Sequence, residues 1–510
     1  MKFTLLLPVV LLTATMNSYG QLAVTPENIV IHPGATLAVK DTALRIKVRE
    51  WCTQQMNATT WKNVPAHPSS VYFPGPVKAG ATPVTRTIHL QHKKIPGSYM
   101  PALSRLEFSS ALTTWNLYST GLYAPAGQVI TIELPAALKH RHIEVQVGCH
   151  TDYLGYWMAW EEDWRRMPYV VKRVALDNAT IKLTSRFGGL IYISANPVDT
   201  AWEADFKISG AIESPLFVLG KTTKAEWQEQ LKNNKAPWGE LMSDKMILSL
   251  PDSVLQKVQH PDSIMNLWNL IVGGEMELAQ LPEQAYRPQR MVIDEHIAGG
   301  ALHAGYPIMA HHSPSTGQLT ADVMINPGQL LVPSKGGANW GFFHEIGHNM
   351  QNIDWVFGGT TEVSCNFFSL YMFDRLVGGR DGAHPGISNE NTTLLMQQYF
   401  KNGAKYEAWQ QEPFLGLIMF RQLQEAFGWE AFKTFFRRYQ AFARKDPDGN
   451  YAKKEEDKRD LWAKTFSEVT GRNMAPFFEA WGIPISSGVK TELSHLPGWM
   501  PYNFPPRHSY

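Results

Sequence analysis

The sequence predicts an α+β protein in which an N-terminal β-sandwich-like module precedes a mostly helical one. Three observations carry that prediction. Between Tyr118 and Ser194, short runs of alternating apolar and polar residues are separated by glycine and proline turns. From about residue 225 the apolar spacing changes to steps of three and four, the period of a helix. Within the helical part stands His344-Glu345-Ile346-Gly347-His348, a spacing that gives the second module a chemical purpose.

Taken in order, the chain opens on a segment that reads as a secretory signal, residues 1–20. Met1-Lys2 is a charged head, Phe3 to Leu12 an apolar run, and Ser18-Tyr19-Gly20 offers small residues for a cut after Gly20. The apolar run is too short to span a bilayer, and no later stretch is apolar for the roughly 20 residues a membrane helix needs, so no transmembrane anchor is expected. No cysteine directly follows the signal, which argues against a lipid anchor on the first mature residue, Gln21. Residues 21–110 read as an irregular β-rich lead-in, with alternating runs at Ala43 to Val48 and Val84 to Leu90. The β-sandwich-like module, 111–215, is read from the turn Gly121 to Gly127 and the runs Gln128 to Leu134 and Ile143 to Val147. To these it adds a hairpin of Lys182 to Ser185 and Leu190 to Ser194 across Gly188-Gly189. Helices are expected through 216–485, at Trp227 to Leu231, Ser253 to Val258, Ile264 to Leu281, Glu412 to Phe427, Trp429 to Ala443 and Asp460 to Thr470. The proline-rich tail, 486–510, reads as an extended wrap, and no internal repeat is visible.

With 510 residues, 44% hydrophobic and 18% charged, the chain is long enough for two or three well-packed domains. A net charge of +1 excludes any global attraction to nucleic acid or anionic membrane. The 17 tryptophans leave two readings open, large aromatic cores or stacking surfaces for sugar rings. Only Cys52, Cys149 and Cys365 occur, a usage that favours a bacterial exported protein. Cys52 and Cys149 are able to pair, the odd count leaves one thiol free, and Cys365 reads as a small buried hydrophobe. Lys453 to Asp460 reads as a solvated helix face, and Asp446 to Asn450 as a plain turn rather than a calcium loop.

His344 and His348 are four residues apart, so on a helix both imidazoles project from one face and share a metal ion, while Glu345 stays within reach of a metal-bound water. The three fixed letters of H-E-x-x-H arise by accident in about one chain of this length in thirty, so the flanks have to decide. Downstream, Gly358-Gly359 ends the first helix, Thr360-Thr361 offers an N-cap, and Glu362 falls in the first turn of a second helix, 14 residues past His348. Two histidines, one glutamate and a fourth position left to water form a catalytic rather than a structural zinc set. In that set Glu345 is the general base, and a second electrophile, a Tyr, His or Arg that the motif does not identify, supports the oxyanion.

Beyond these five residues the chain resembles the M60-like (enhancin-like) zinc metallopeptidases. The likeness runs through Ser119 to Gly127, Val147 to Asp152, Gly188 to Tyr192, Ala301 to Met309, Thr361-Glu362-Val363 with Asn366, and Trp481 to Pro484. It spans about 115 to 485, roughly three quarters of the chain, and leaves the lead-in outside. The resemblance implies a gluzincin-type catalytic module in which His344, His348 and Glu362 hold one Zn2+ and Glu345 is the base. It implies a secreted endopeptidase that cuts mucin-type O-glycoproteins next to a glycosylated Ser or Thr. Under it, Trp355, Asn366 and Arg375 become candidates for reading the sugar, and Tyr306 for the oxyanion donor; a core indole, a helix-facing amide, a surface ion pair and a packed tyrosine are their structural alternatives. Two other functions stay open: a general secreted zinc protease without a glycan requirement, and a glycan-binding adhesin with a vestigial zinc site. The intact Glu345 speaks against the adhesin, which has no use for a base.

Overall fold

The computed structural model describes residues 23–505, except 110, 140, 156–162, 334–337 and 380–381. The expected signal segment, 1–20, lies outside the described residues with residues 21–22, as do residues 506–510 of the tail. The lead-in departs from its β-rich reading at once. Thr42–Asn57 is a helix of 16 residues, and the alternating run Ala43 to Val48 lies inside it. Six residues fit either period; the burial of Arg45, Val48, Trp51 and Cys52, at steps of three and four, shows which one the fold uses. After it comes β1, Val84–His92, as the second alternating run predicted.

The β module adds β2 (Asn116–Ala124), β3 (Val129–Glu133), β4 (Ile143–Val147), β5 (Lys172–Ala175), β6 (Thr180–Thr184), β7 (Gly189–Ala195) and β8 (Trp202–Glu213). The strand order is β5-β4-β7-β2-β8-β3-β6, with β1 also paired to β8. Most of β8 pairs with β1 and β3, while its end, Ile212 and Glu213, pairs with β2. This strand therefore joins two arms of one folded sheet. Along it Trp202, Ala204, Phe206 and Ile208 face inward while Glu203, Asp205 and Lys207 face out. The inner faces of both arms share one core, with Leu90, Ile132, Val145, Ile193 and Phe206 in it. The expected hairpin of β6 and β7 does not form: β6 pairs with β3, and β7 with β2 and β4. Gly188 and Gly189, at φ 74° and 141°, carry the chain from one arm to the other. A Cβ on Gly188 would come within 2.6 Å of the Ala124 carbonyl oxygen.

Residues 216–311 form the helices expected of them, as Lys224–Asn233, Asp252–Leu255 and Pro261–Leu278, but they are not mostly helical. They hold a second sheet made of β9 (Leu216–Val218), β10 (Trp238–Met242), β11 (Met246–Pro251), β12 (Gln289–Asp294), β13 (Leu302–His303) and β14 (Ile308–His311), in the order β13-β14-β12-β11-β10-β9. The β9/β10, β11/β12 and β12/β14 pairings are parallel. Almost every residue of β10, β11 and β12 is buried, so these strands carry no alternation for a sequence pattern to display. The longer helices, most of them after residue 338, also match their periodicity. They include Pro261–Leu278, Ala338–Met350, Thr361–Met372, Pro413–Lys445 and Glu455–Thr470, with the fourth broken at Gly428, whose φ is 74°. The region is thus mixed, with its helices concentrated after residue 338. Trp164, Trp227, Trp268, Trp409, Trp462 and Trp481 are fully buried, which answers part of the tryptophan question in favour of cores.

The tail holds a short helix, Ser487–Glu492, and then runs back over the aromatic core, with Trp499 against Phe427 and Phe504 against Trp481. Cys52, Cys149 and Cys365 are all free and buried. No described helix is long and apolar enough to cross a membrane.

Candidate active site

The helix Ala338–Met350 carries His344, Glu345 and His348; Thr361–Met372 carries Glu362. The two cross closely because Gly347 has no side chain. A Cβ there would come within 2.8 Å of Phe368 Cβ and 3.1 Å of the Cys365 carbonyl oxygen. The turn between them is shaped differently from the expected threonine cap. Thr360 makes no side-chain cap to the helix; its hydroxyl instead closes the Phe357–Thr360 turn, accepting from Phe357 N–H at 2.8 Å and donating to Phe357 O at 2.6 Å.

That packing brings Glu362 Oε2 to 3.1 Å from His344 Nε2 and 3.5 Å from His348 Nε2. Ligands on a tetrahedral zinc with bonds near 2.0–2.1 Å stand about 3.3 Å apart, so both Glu362 contacts have the spacing of ligands on a shared ion, and the ligand atoms of all three residues lie within 4.8 Å of one another. The imidazoles are also oriented for it. His344 Nδ1 lies 2.8 Å from Asn366 Oδ1, and His348 Nδ1 lies 2.9 Å from Gln351 Oε1. An amide oxygen only accepts, so each Nδ1 carries the proton and each Nε2 lone pair turns toward the common point. Asn366 is itself fixed by the Trp340 indole N–H at 2.8 Å, and Gln351 donates to Thr361 O and Ser364 Oγ. The donor set therefore fits a zinc ion.

Electrostatics follow from this crowding. The imidazoles of His344, and next of His348, against its carboxylate hold Glu362 far below the usual range. Burial raises the Glu345 carboxyl, against the pull of His344, His348 and His303. Burial lowers His344, but Glu362, Glu345 and Asn366 outweigh it and its value rises. Cys365 joins the same group of potential ligand atoms. Its Sγ is 3.4 Å from both ring nitrogens of His344. Equal distances put the sulfur across the ring rather than beside Nε2, so the thiol packs against the imidazole and is not oriented as a ligand.

A cavity of about 350 Å³ opens over these residues, with Leu302, Trp340, Glu345, Glu362, His384 and Phe414 in its wall. His384 stacks on Phe414, ring centres 4.7 Å apart and 15° from parallel. Neither residue carried a signal in the sequence, since both lie far from the motif and outside any helical period shared with it.

Of the remaining candidates, Asn366 is gathered here and Trp355, Arg375 and Tyr306 are not. Trp355 is 3% exposed and packs on Phe436 and Phe368, so it is a core indole closed to any sugar. Arg375 pairs with Glu277 and meets the Tyr371 hydroxyl; 13 residues beyond Glu362 it stands about 20 Å along the helix. Tyr306 lies under the Arg287 guanidinium, 3.7 Å from it, and is absent from the cavity wall. Asn366 is beside the cluster, with its oxygen engaged by His344 and Trp340.

The family profile described as peptidase M60, enhancin and enhancin-like matches residues 210–482. The chain belongs to the M60 peptidase family. A second profile, the N-terminal domain of M60-like peptidases, matches 101–208, the stretch that holds β2 to β7. Among curated proteins, the chain is 35% identical over 383 residues to a TRPM8 channel-associated factor homolog of Xenopus laevis, covering 75% of this chain and 40% of that protein. It is 37% identical over 383 residues to TRPM8 channel-associated factor 3 of Rattus norvegicus, with the same coverage of 75% and 40%. The M60 chain thus spans about 40% of the length of these relatives. Among solved structures, its fold is similar to ZmpB metallopeptidase from Clostridium perfringens, with TM-score 0.59, 18% identity, and coverage of 81% and 82%. It is also similar to IMPa from Pseudomonas aeruginosa in complex with an O-glycopeptide, with TM-score 0.56, 15% identity, and coverage of 83% and 52%.

Proposed function

We propose that this M60 protein is an exported zinc endopeptidase of bacterial type that cuts O-glycosylated, mucin-type proteins next to a glycosylated Ser or Thr. The observation that carries the reading is the meeting of His344, His348 and Glu362 at ligand spacing with Glu345 beside them. The structural likeness to IMPa, whose complex holds an O-glycopeptide, supports the substrate class. Residues 1–20 serve as its export signal.

Zinc, when bound, supplies the Lewis acidity that polarises the scissile carbonyl and acidifies water at the site. Glu345 takes a proton from the attacking water onto its carboxylate and returns it to the leaving amine nitrogen. Asn366 and Gln351 keep both Nε2 lone pairs aimed inward. His384 and Phe414 offer flat faces in the cavity wall, which suit the apolar side of a sugar ring better than the sealed Trp355.

The test compares the zinc-loaded wild type with Glu345→Gln on a defined O-glycopeptide, with cut sites read by mass spectrometry. Loss of the base should lower kcat/KM by about 10²–10⁴-fold, and enzymatic removal of the O-glycans should stop cleavage by the wild type. Undiminished cleavage after deglycosylation makes it a general protease. A second reading is a glycan-binding protein without catalysis; the vertebrate relatives are named as channel-associated factors rather than peptidases, which favours binding over cleavage but not a glycan. Retained mucin binding with no cleavage by the wild type would support it.

A further inference from the structure

The segments Val147 to Asp152 and Ala301 to Met309 lie about 150 residues apart in sequence, and neither supplies a metal ligand. They meet in one contact: His303 Nε2 lies 2.8 Å from Asp152 Oδ2. We propose that His303 is the electrophile of the peptidase reaction, its imidazolium braced by Asp152 and donating from Nδ1 to the scissile carbonyl oxygen as that oxygen gains negative charge. This rests on the reading of the site as a peptidase centre.

The placement comes from three attachments. His303 sits on β13, the edge strand of the second sheet, and its neighbour Leu302 forms part of the cavity wall. Leu302 also packs against Gly341 of the metal helix, where an added Cβ would stand 3.3 Å from its Cδ1. Two residues past His303, Gly305 is clamped by Asn349, the residue after His348: its N–H donates to Oδ1 at 3.0 Å and its carbonyl accepts from Nδ2 at 2.9 Å. The strand is thereby fastened to the helix that bears Glu345.

The charge comes from the ring's neighbours. Nε2 faces the Asp152 carboxylate, and Nδ1 faces the Ala304 carbonyl oxygen at 3.0 Å. Both neighbours are acceptors, so both nitrogens carry protons and the ring is a cation. Asp152 is fixed in turn by the Ala298 N–H at 2.7 Å. Glu345 faces the imidazole from the metal helix, and Arg166, paired with Asp294, stands behind Asp152. Burial lowers His303, but Asp152, Ala304 O and Glu345 together lift it to about 9. The His303 side chain keeps 33% of its surface and Asp152 only 10%, so the imidazole is the member of the pair open to substrate. The Ala304 carbonyl is a resting partner one residue away, and a substrate oxyanion is the stronger acceptor for the same N–H. No proton is transferred: Nδ1–H hydrogen-bonds the oxyanion, and the bond weakens again when the tetrahedral centre collapses.

Zinc-loaded wild type, His303→Gln and Asp152→Asn are compared on one O-glycopeptide from pH 5.5 to 9.5, with kcat and KM read separately. His303→Gln should lose about 10²–10³-fold in kcat, the loss typical of one oxyanion donor, with KM within threefold. Asp152→Asn should approach wild type at pH 5.5 and fall about tenfold per unit above the ordinary histidine value near 6.5, because its imidazole no longer holds the proton; NMR of the His303 ring should show the same midpoint. A merely structural pair would not move that limb. Wild-type kcat for His303→Gln, or parallel pH profiles for wild type and Asp152→Asn, overturns the proposal while leaving the peptidase reading intact. Absence of cleavage by the wild type overturns both.

Discussion

Two carboxylates in this protein are surrounded by cationic or hydrogen-bonding side chains, and they end in opposite states. Glu240 on β10 is sealed. It binds Arg290 of β12, the Tyr192 hydroxyl of β7 at 2.9 Å and Ser249 of β11 at 2.8 Å. Arg290 reaches on to Leu117 O and Ser119 Oγ of β2, each at 3.1 Å. Arg290 is 0% and Glu240 3% exposed. Glu362 is met by two imidazoles, yet its side chain keeps 52% of its surface. The first cluster pairs its charges internally, with Arg290 Nε left without a hydrogen bond among the described residues, and fastens one sheet to the other. The second leaves lone pairs converging on a point with an open side. Charge complementarity closed on every side makes a joint, and open on one side it makes a binding site.

The sharpest way to break the comparison is to unbalance the sealed cluster. Glu240→Gln leaves the Arg290 cation buried without its counter-charge, and losing one partner of such a pair costs about 3–5 kcal/mol. Urea unfolding should show that loss, with metal affinity in the surviving folded protein changed little. A fall in stability below about 1 kcal/mol would mean the joint is not what holds the sheets. The open cluster should respond the other way. Asn366→Ala and Gln351→Ala each remove the acceptor that aims one imidazole, and zinc affinity should drop about 10–100-fold, measured by chelator competition. Unchanged affinity would show that helix packing alone aims the rings.

The open cluster was legible in the sequence and the sealed one was not. Histidines four apart and a glutamate after a glycine turn depend on local geometry, which a linear pattern records. Glu240, Arg290 and Tyr192 lie on three strands of two sheets, and nothing in their spacing brings them together. The second sheet was hidden for a related reason: strands buried on both faces, such as β12, lose the alternation that revealed β1 and β3. The same limit explains the sugar-reading candidates. Nearness to the motif along the chain is what recommends Trp355 and Arg375, whereas His384 and Phe414 reach the cavity only through the fold. Asn366 shares a helix face with Glu362, and that face does bring it to the cluster, as a brace for His344.

The Asp152–His303 pair stands between the two cases, and its pH dependence measures how far. His303 is raised to about 9 in the folded chain from an ordinary value near 6.5. A raised base stabilises the fold fully below 6.5, and that contribution disappears as the pH climbs through 9. Asp152 is lowered, by hydrogen bonding and attraction to His303 and the Ala298 N–H against burial, so its contribution is present above the ordinary carboxyl range and lost as pH falls through the lowered value. The stability gap between wild type and Asp152→Asn should therefore be widest near pH 4.5–6.5 and close toward pH 9. With a third of the imidazole in solvent, the gap is about 1 kcal/mol after screening. The gap for Glu240→Gln should stay flat over the same interval, since the Arg290 guanidinium does not titrate there. A flat gap for Asp152→Asn between pH 6.5 and 9 would mean that His303 is neutral in the folded protein, and the pair would then belong with the joints rather than with the site.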